Sequence, residues 1–110
     1  MSFSIYSVIV DNQVIYIGST KNMKQRKHAH TQHRFQSKYS HSILYCYLNY
    51  NEVQVEDVEY KVLKTIEEES EPKFRQYLEQ VYINEYNPTC NSINSMSSKK
   101  FKTYKQSVTA

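Results

Sequence analysis

Two β-branched and aromatic segments stand near the start of the chain, with a short polar turn between them. In Phe3 to Val10, successive side chains point to opposite faces. Val14 to Ile17 is also rich in β-branched and aromatic residues. The intervening Asp11-Asn12-Gln13 is typical of a turn. Two such segments on either side of a turn predict a β-hairpin.

The length of the turn decides which side chains of the hairpin share a face. A three-residue loop would pair Val10 with Val14. In that register Tyr6 lies opposite Gly18 and on the same face as Tyr16. A two-residue loop would move Tyr16 to the other face, because a slip of one residue turns every side chain over. The pattern leaves both registers open.

Two helices are predicted after the hairpin. The first is polar and basic and runs from Asn22 to about Gln32. Ser19 and Thr20 offer oxygens that would cap its start. The second, from Ser40 to Tyr50, is expected to be short and well buried, because apolar side chains recur in it at helical spacing. These are Ile43, Leu44, Tyr47 and Leu48.

A third strand and a last helix complete the predicted domain. Within 53–66, Val58, Tyr60 and Val62 alternate with charged residues and predict a strand with one wet face. Ser70-Glu71-Pro72 begins a helix that runs to about Tyr86, where Asn87-Pro88 ends it. The fold class is therefore α+β, in the order β-β-α-α-β-α, with one three-stranded antiparallel sheet packed by helices.

The chain divides into a domain at residues 1–91 and a Ser/Lys-rich basic extension at 92–110, which is expected to be loosely ordered. Its 110 residues make room for one small domain. No apolar run approaches the ~20 residues of a membrane span, and the first residues lack the pattern of a signal peptide. Two cysteines do not make a disulfide framework, which predicts a soluble intracellular protein with reduced thiols.

Positive charge is concentrated in two places. Residues 21–38 contain no acid and hold six basic side chains: Lys21, Lys24, Arg26, Lys27, Arg34 and Lys38. The extension adds four lysines without an acid, whereas 52–71 holds eight acidic side chains against two lysines. Such a layout suits a polyanion such as nucleic acid. A solvated basic helix without a partner is the alternative, and charge alone does not separate the two.

Four features are candidates for chemistry, and each has an ordinary structural alternative. Tyr6 and Tyr16 can share a face of the hairpin, as cross-strand partners often do. Arg26 and His30 lie on one face of the first helix, where solvated surface is common. Glu79 is flanked by apolar positions of the last helix, although Arg75 could pair with it. Asn91 follows that helix and by itself would be a loop residue.

Taken together, these residues resemble the GIY-YIG nuclease superfamily. Its first signature is matched by Ser4-Ile5-Tyr6 and its second by Tyr16-Ile17-Gly18. Arg26 and His30 then resemble the helix of the family that bears Arg and His, and Glu79 and Asn91 resemble its closing Glu helix and Asn. The resemblance covers residues 4–91. One position departs from the family pattern, because Ser4 stands where glycine is usual; we expect a lost backbone contact or a slight local shift rather than lost activity.

The resemblance implies a DNA phosphodiester hydrolase with a role for each residue. Glu79 would hold a single divalent cation, Mg²⁺ or Mn²⁺, and Arg26 would bind the scissile phosphate. Tyr6 would act on the attacking water while His30 holds or deprotonates its hydroxyl. Tyr16 would hydrogen-bond phosphate or water, and Asn91 would position the site.

The identity of the general base is open in the sequence. A free phenol has a pKa of about 10, so Tyr6 needs cationic neighbours, for which the metal, Lys21 or His30 would serve. His30 is the simpler base by its ordinary pKa. His41 is a possible additional member, since the family often has a histidine in that region. We favour Tyr6 with His30 as its partner.

The basic segment would meet the DNA backbone through Lys21, Lys24, Lys27, Arg34 and Lys38. Phosphate contacts give affinity without reading sequence, so we expect low intrinsic specificity, or specificity from DNA structure, self-association or a partner protein. A catalytically silent nucleic-acid-binding module on the same fold is the main alternative. A small interaction protein that uses its tyrosine-rich surface is another.

Overall fold

The elements follow one another in the predicted order. The computed structural model describes residues 2–39, 42–67, 72–91 and 98–109. They form β1 (Ser2–Val10), β2 (Gln13–Thr20), α1 (Met23–His33), α2 (Ile43–Tyr50), β3 (Glu59–Glu67), α3 (Pro72–Tyr86) and α4 (Ser98–Thr109). Short 3-10 turns lie at Ser37–Tyr39 and Val55–Asp57. The α+β class and the order β-β-α-α-β-α up to α3 are confirmed.

The sheet is antiparallel with the strand order β2-β1-β3, as the predicted class requires. The central strand, β1, is bonded on both sides. One edge of β2 therefore has no neighbouring strand among the described residues.

The β1–β2 hairpin combines features of the two registers left open by the sequence. Its turn has two residues, Asp11 and Asn12, both with positive φ, so Val10 pairs with Gln13 and not with Val14. A bulge then inserts Ile15 between the two pairs that flank it. From there on the alignment is that of the three-residue loop, because an extra residue moves the register by one.

The two faces of the sheet are covered by different helices. On the face of Tyr6 and Val8, a cluster of buried residues includes Leu44 and Leu48 of α2. On the face of Ile5 and Ile17, the apolar partners come from α3, chiefly Ile83 and Leu78. The sheet is thus the middle layer between α1 and α2 on one side and α3 on the other. The alternating apolar pattern of β1 accounts for both interfaces.

Three local expectations are wrong. Helix α1 is capped by Asn22, whose side chain accepts from the N–H of Gln25 at 3.0 Å, because β2 continues through Ser19 and Thr20. Val62 is 46% exposed although it pairs with Tyr6, whereas its neighbour Leu63, at a bulge in the β1–β3 pairing, packs in the apolar cluster on the opposite face. Ile43 is 45% exposed, at the first turn of α2.

The C-terminal part of the chain forms a helix where the sequence predicts a loosely ordered extension. Helix α4 packs on α3, and the rings of Tyr77 and Phe101 stack with their centroids 5.2 Å apart. Stacking of Phe101 on the buried Tyr77 thus holds this Lys-rich segment against α3. Helix α3 itself ends as predicted, before Asn87, which has a positive φ of 46°. Ser70 and Glu71, the predicted start of α3, lie outside the described residues.

Within the described residues, every helix is too short or too polar to cross a membrane.

Candidate active site

Tyr6 and Tyr16 lie on the same face of the hairpin, with their ring centroids 6.3 Å apart. Tyr6 is 1% exposed and crosses the partner strand at Gly18, which is directly opposite to it. A Cβ atom at residue 18 would lie 2.7 Å from the Tyr6 hydroxyl and 2.9 Å from Cε2 of Tyr16. The glycine of the second signature is therefore required for the close approach of the two tyrosines.

His30 binds two phenols, one with each ring nitrogen. Its Nε2 lies 2.8 Å from the hydroxyl of Tyr6, and its Nδ1 lies 2.7 Å from the hydroxyl of Tyr45. The ring of Tyr60 is nearly parallel to the imidazole, with a centroid distance of 6.2 Å. The predicted pairing of Tyr6 with His30 is thus present, inside an aromatic enclosure built from β1, α2 and β3.

Tyr45 and Tyr60 were not among the predicted site residues. Tyr60 had a detectable signal, since it belongs to the alternating set of the third strand and this set faces the same side as Tyr6. Tyr45 had none, because it falls outside the apolar positions by which α2 was recognised. Its partner lies in another helix, and the helical period does not specify contacts between helices.

Burial keeps the Tyr6–His30 pair neutral. It lowers the pKa of His30 to about 4, and the neighbouring Arg26 and His33 act in the same direction. Burial also raises the pKa of Tyr6 far above its usual value; Tyr16 adds to this rise and Arg26 opposes it. At neutral pH the imidazole is therefore uncharged, with one nitrogen free to accept a hydrogen bond.

A polar cleft of about 440 Å³ opens beside this pair, at the free edge of β2. It is lined by most of the predicted catalytic and metal-binding side chains: Tyr16, Arg26, His30, Glu79 and Asn91. The ring of Tyr6 is buried and does not line the cleft. Its hydroxyl is connected to the cleft by the hydrogen bond to His30. The cleft joins the two sides of the sheet, since α1 supplies Arg26 and α3 supplies Glu79.

Two charged members of the cleft, Glu79 and Arg26, act electrostatically on the phenol of Tyr16. Burial is the main cause that raises the pKa of the Tyr16 phenol. The carboxylate of Glu79 raises it further, while the guanidinium of Arg26 lowers it. Arg26 is exposed and Glu79 is half-buried. An anion entering the cleft would therefore meet a permanent positive charge, and a cation would meet a carboxylate.

Asn91 acts on the backbone of β2. Its Oδ1 accepts from the N–H of Ile17 at 2.8 Å, and its Nδ2 donates to the carbonyl of the same residue at 3.0 Å. The N–H of Cys90 also donates to the carbonyl of Ile15 at 2.7 Å. The segment after α3 thus satisfies backbone groups on the free edge of β2 and fixes the strand that carries Tyr16 and Gly18.

The residues predicted to bind nucleic acid differ in their surroundings. Lys24, Lys27 and Lys38 are exposed on or after α1. Lys21 is exposed too, with its Nζ 5.2 Å from the centroid of the Phe3 ring, on the α3 side of the sheet and not beside Tyr6. It is therefore unsuited to be the cationic neighbour of that phenol.

Arg34 is buried, contrary to the expectation that it contacts DNA. Its Nε donates to Oδ1 of Asn49 and its guanidinium also donates to the carbonyl of Val53, both at 2.9 Å. The side chain is 6% exposed. The side chain of Arg34 therefore links the end of α1 to α2 and to the segment after α2. It is not part of the predicted DNA surface. His41 lies outside the described residues.

The donor set of the cleft fits a cation held by one carboxylate. The described residues contain no group of three or more His, Cys, Asp or Glu side chains that could enclose a metal ion. Glu79 supplies the carboxylate among the lining residues. Mg²⁺ is commonly bound in this way, by one or two carboxylates together with water and substrate phosphate.

A family comparison agrees with this arrangement. The model of the GIY-YIG catalytic domain matches residues 2–94, which is most of the chain. The protein belongs to the GIY-YIG family. The GIY-YIG domain is a nuclease domain, and such nucleases generally use a divalent metal ion. The matched range contains all the cleft residues named above and ends before α4.

Comparisons with curated proteins and with solved structures gave no significant match. The GIY-YIG assignment therefore rests on the family model.

Proposed function

We propose that this protein is a metal-dependent endonuclease that hydrolyses DNA phosphodiester bonds with low intrinsic sequence specificity. One observation carries the proposal: side chains from β2, α1, α3 and the segment after α3 line one cleft at the edge of the sheet. Their chemistry matches what hydrolysis of a phosphodiester needs, namely a phosphate-binding cation, a carboxylate for a metal ion and a proton acceptor.

Arg26 binds the scissile phosphate in this proposal. Its guanidinium is exposed in the cleft, remains charged at every relevant pH and presents a planar fork that matches two phosphate oxygens. Tyr16, which lines the same cleft, donates a hydrogen bond from its hydroxyl to a phosphate oxygen or to the attacking water. The raised pKa of its phenol keeps that proton in place at neutral pH.

Tyr6 and His30 together take the proton from the attacking water, which has to reach the buried hydroxyl of Tyr6 from the side of the cleft that His30 lines. The neutral imidazole accepts the hydroxyl proton of Tyr6 at Nε2, which lies 2.8 Å away. The phenol oxygen is then able to receive a proton in turn. Arg26 assists, because its positive charge opposes the rise that burial causes in the pKa of Tyr6 and so favours the phenolate form.

Glu79 holds the divalent cation, Mg²⁺ or Mn²⁺. When bound, this ion neutralises charge on the phosphate and favours ionised water. Asn91 positions the site from the side, through the two hydrogen bonds that its amide makes with Ile17.

The exposed lysines of α1 and of the 3-10 turn after it bind the DNA backbone, namely Lys24, Lys27 and Lys38. Contacts of this kind give affinity that falls with salt and carry little sequence information. Specificity beyond this comes from DNA structure, self-association or a partner protein. A tight recognition sequence found with the purified protein alone would contradict this part of the proposal.

The test is nicking of supercoiled plasmid by the purified full chain, with Mg²⁺, with Mn²⁺ and with EDTA. We expect metal-dependent nicking that Glu79→Gln abolishes. Glu85→Gln is the matched control, because Glu85 is an exposed carboxylate on the same helix, and this variant should nick normally. DNA binding without cleavage under all metal conditions would refute the nuclease and identify a silent binding module on the same fold.

A further inference from the structure

The hydroxyl of Tyr45 is the second hydrogen-bond partner of His30, and the proposed roles of the site residues do not yet use it. It lies 2.7 Å from Nδ1, as Tyr6 lies 2.8 Å from Nε2. Tyr6, His30 and Tyr45 are 1%, 6% and 8% exposed. A buried chain of phenol, imidazole and phenol therefore runs from β1 through α1 to α2.

The direction of one hydrogen bond in this chain fixes the other. A neutral imidazole has one N–H and one bare nitrogen. If Nδ1–H donates to Tyr45, then Nε2 is bare and accepts from Tyr6. If Tyr45 donates to Nδ1, then Nε2–H donates to Tyr6 and His30 is unable to accept a proton from it. Only the first arrangement suits the proposed reaction.

Proton transfer from Tyr6 to His30 alone would leave a buried phenolate beside a buried imidazolium. Separating charge in a region of low dielectric is costly, and the lowered pKa of His30 reflects this. The buried imidazolium, though not the phenolate, is avoided if the imidazole gives up one proton while it accepts the other. Tyr45 is placed to receive that proton, and it also lines the catalytic cleft, where water is accessible.

We propose that Tyr45 is a positioning residue that holds His30 as the Nδ1–H tautomer and relays its proton to the cleft. The inference rests on the proposed function. In the relay, the O–H bond of Tyr6 breaks as Nε2–H forms, and Nδ1–H breaks as a new O–H bond forms on Tyr45. The original hydroxyl proton of Tyr45 leaves to water. His30 stays neutral in the other tautomer, and the negative charge rests on Tyr6.

The first test measures which nitrogen of His30 carries the proton, by the ¹⁵N chemical shifts of its ring in ¹⁵N-histidine-labelled protein at neutral pH. We expect the proton on Nδ1 in the wild type. In Tyr45→Phe, which keeps the ring and removes the hydroxyl, the proton should redistribute toward Nε2. A wild-type proton on Nε2, or a tautomer unchanged by the substitution, would overturn the proposal. The wild-type measurement alone is decisive if the variant is unstable.

The second test is the kinetics of plasmid nicking with Mg²⁺. Tyr45→Phe should lower kcat on the order of 100-fold, the effect of a lost acid–base function, with KM for DNA unchanged. Tyr47→Phe is the matched control, being a half-buried tyrosine on the same helix, and it should retain full activity. Equal kcat values for wild type and Tyr45→Phe would exclude the relay.

The two tests separate this inference from the proposed function. The ring nitrogen shifts need neither DNA nor metal, so they decide the tautomer even if the wild type shows no nuclease activity. Absence of nicking in the wild type would refute the nuclease and the relay step with it, while an Nδ1 proton that depends on Tyr45 would still establish the positioning role.

Discussion

Tyr6 and Gly18 approach so closely that a Cβ atom at residue 18 would lie 2.7 Å from the Tyr6 hydroxyl. Gly18 is the one glycine of the chain, and it stands where the ring of Tyr6 crosses β2. The same hydroxyl is bonded to His30. The contact between these two strands therefore sets the position of a proposed catalytic group.

Gly18→Ala should impair both folding and activity. The Tyr6 ring is buried and bonded to His30, so it has little freedom to move away from the added methyl group. We expect the free energy of unfolding in urea to fall by about 1–3 kcal/mol, as in other overpacked sites, and plasmid nicking to slow. Ser19→Ala on the same strand is the control. A Gly18→Ala protein with wild-type stability and activity would show that the site tolerates the displacement.

Asn91→Ala should loosen the edge of β2. The substitution removes two hydrogen bonds to the backbone of Ile17, each worth about 1 kcal/mol net. Hydrogen exchange at the Ile17 amide, followed by NMR, should become faster, and nicking should weaken. Asn51→Ala is the comparison, since that amide also bonds a backbone carbonyl, at the exposed end of α2. Unchanged protection of Ile17 would contradict the role given to Asn91.

His30 should make the fold less stable as the pH falls below about 6.5. Its pKa in the folded protein is about 4, against about 6.5 in the unfolded chain. The unfolded chain therefore binds more protons between these values, and the free energy of unfolding falls with pH. For His30 alone, the loss between pH 7 and pH 5 is about 2 kcal/mol.

Urea unfolding of the wild type and of His30→Gln at the two pH values measures this contribution. The variant should lose less stability on acidification than the wild type. His28→Gln, at an exposed position of the same helix, should behave like the wild type. An identical pH response of wild type and His30→Gln would mean that His30 is not held neutral by its surroundings.

Arg34→Gln should destabilise the fold. It should not reduce the salt slope of DNA binding, as loss of a phosphate contact would. It removes the two hydrogen bonds that the guanidinium donates to Asn49 and Val53, and a hydrogen bond that involves a charged group contributes about 1.5–3 kcal/mol. Lys24→Gln should do the reverse: it should leave stability within about 0.5 kcal/mol and reduce the salt slope of DNA binding by about 1. Urea unfolding and binding titrations at several salt concentrations, under conditions where both variants are folded, distinguish the two. A reduced salt slope in Arg34→Gln would return this residue to the DNA surface.

The sequence predicted the elements well because each depends on residues close together in the chain. Alternation in β1, the four-residue spacing of Arg26 and His30 and the Asn87-Pro88 end of α3 are local patterns. Such patterns fix the type of an element and the side chains that share one of its faces. The register of the hairpin was already less certain, because a two-residue turn and the bulge at Ile15 offset each other.

Local sequence patterns did not predict the contacts between elements. Tyr45 binds His30 from another helix, and Asn91 binds the backbone of a strand at the opposite end of the domain sequence. The sequence likewise gave no sign that Arg34 is buried, since its partners Asn49 and Val53 are polar or bond through the backbone.

By itself the sequence determined the order of strands and helices, the positions of the reactive side chains within them and, through matching motifs, the nuclease family. Only the tertiary structure decided that β2 is an edge strand, that Glu79 reaches this edge from the other side of the sheet, and that burial surrounds His30 with phenols. The reason is physical: periodicity records which face of an element is apolar. Which faces then meet, and which polar groups lose water when they do, depends on the packing of the whole chain.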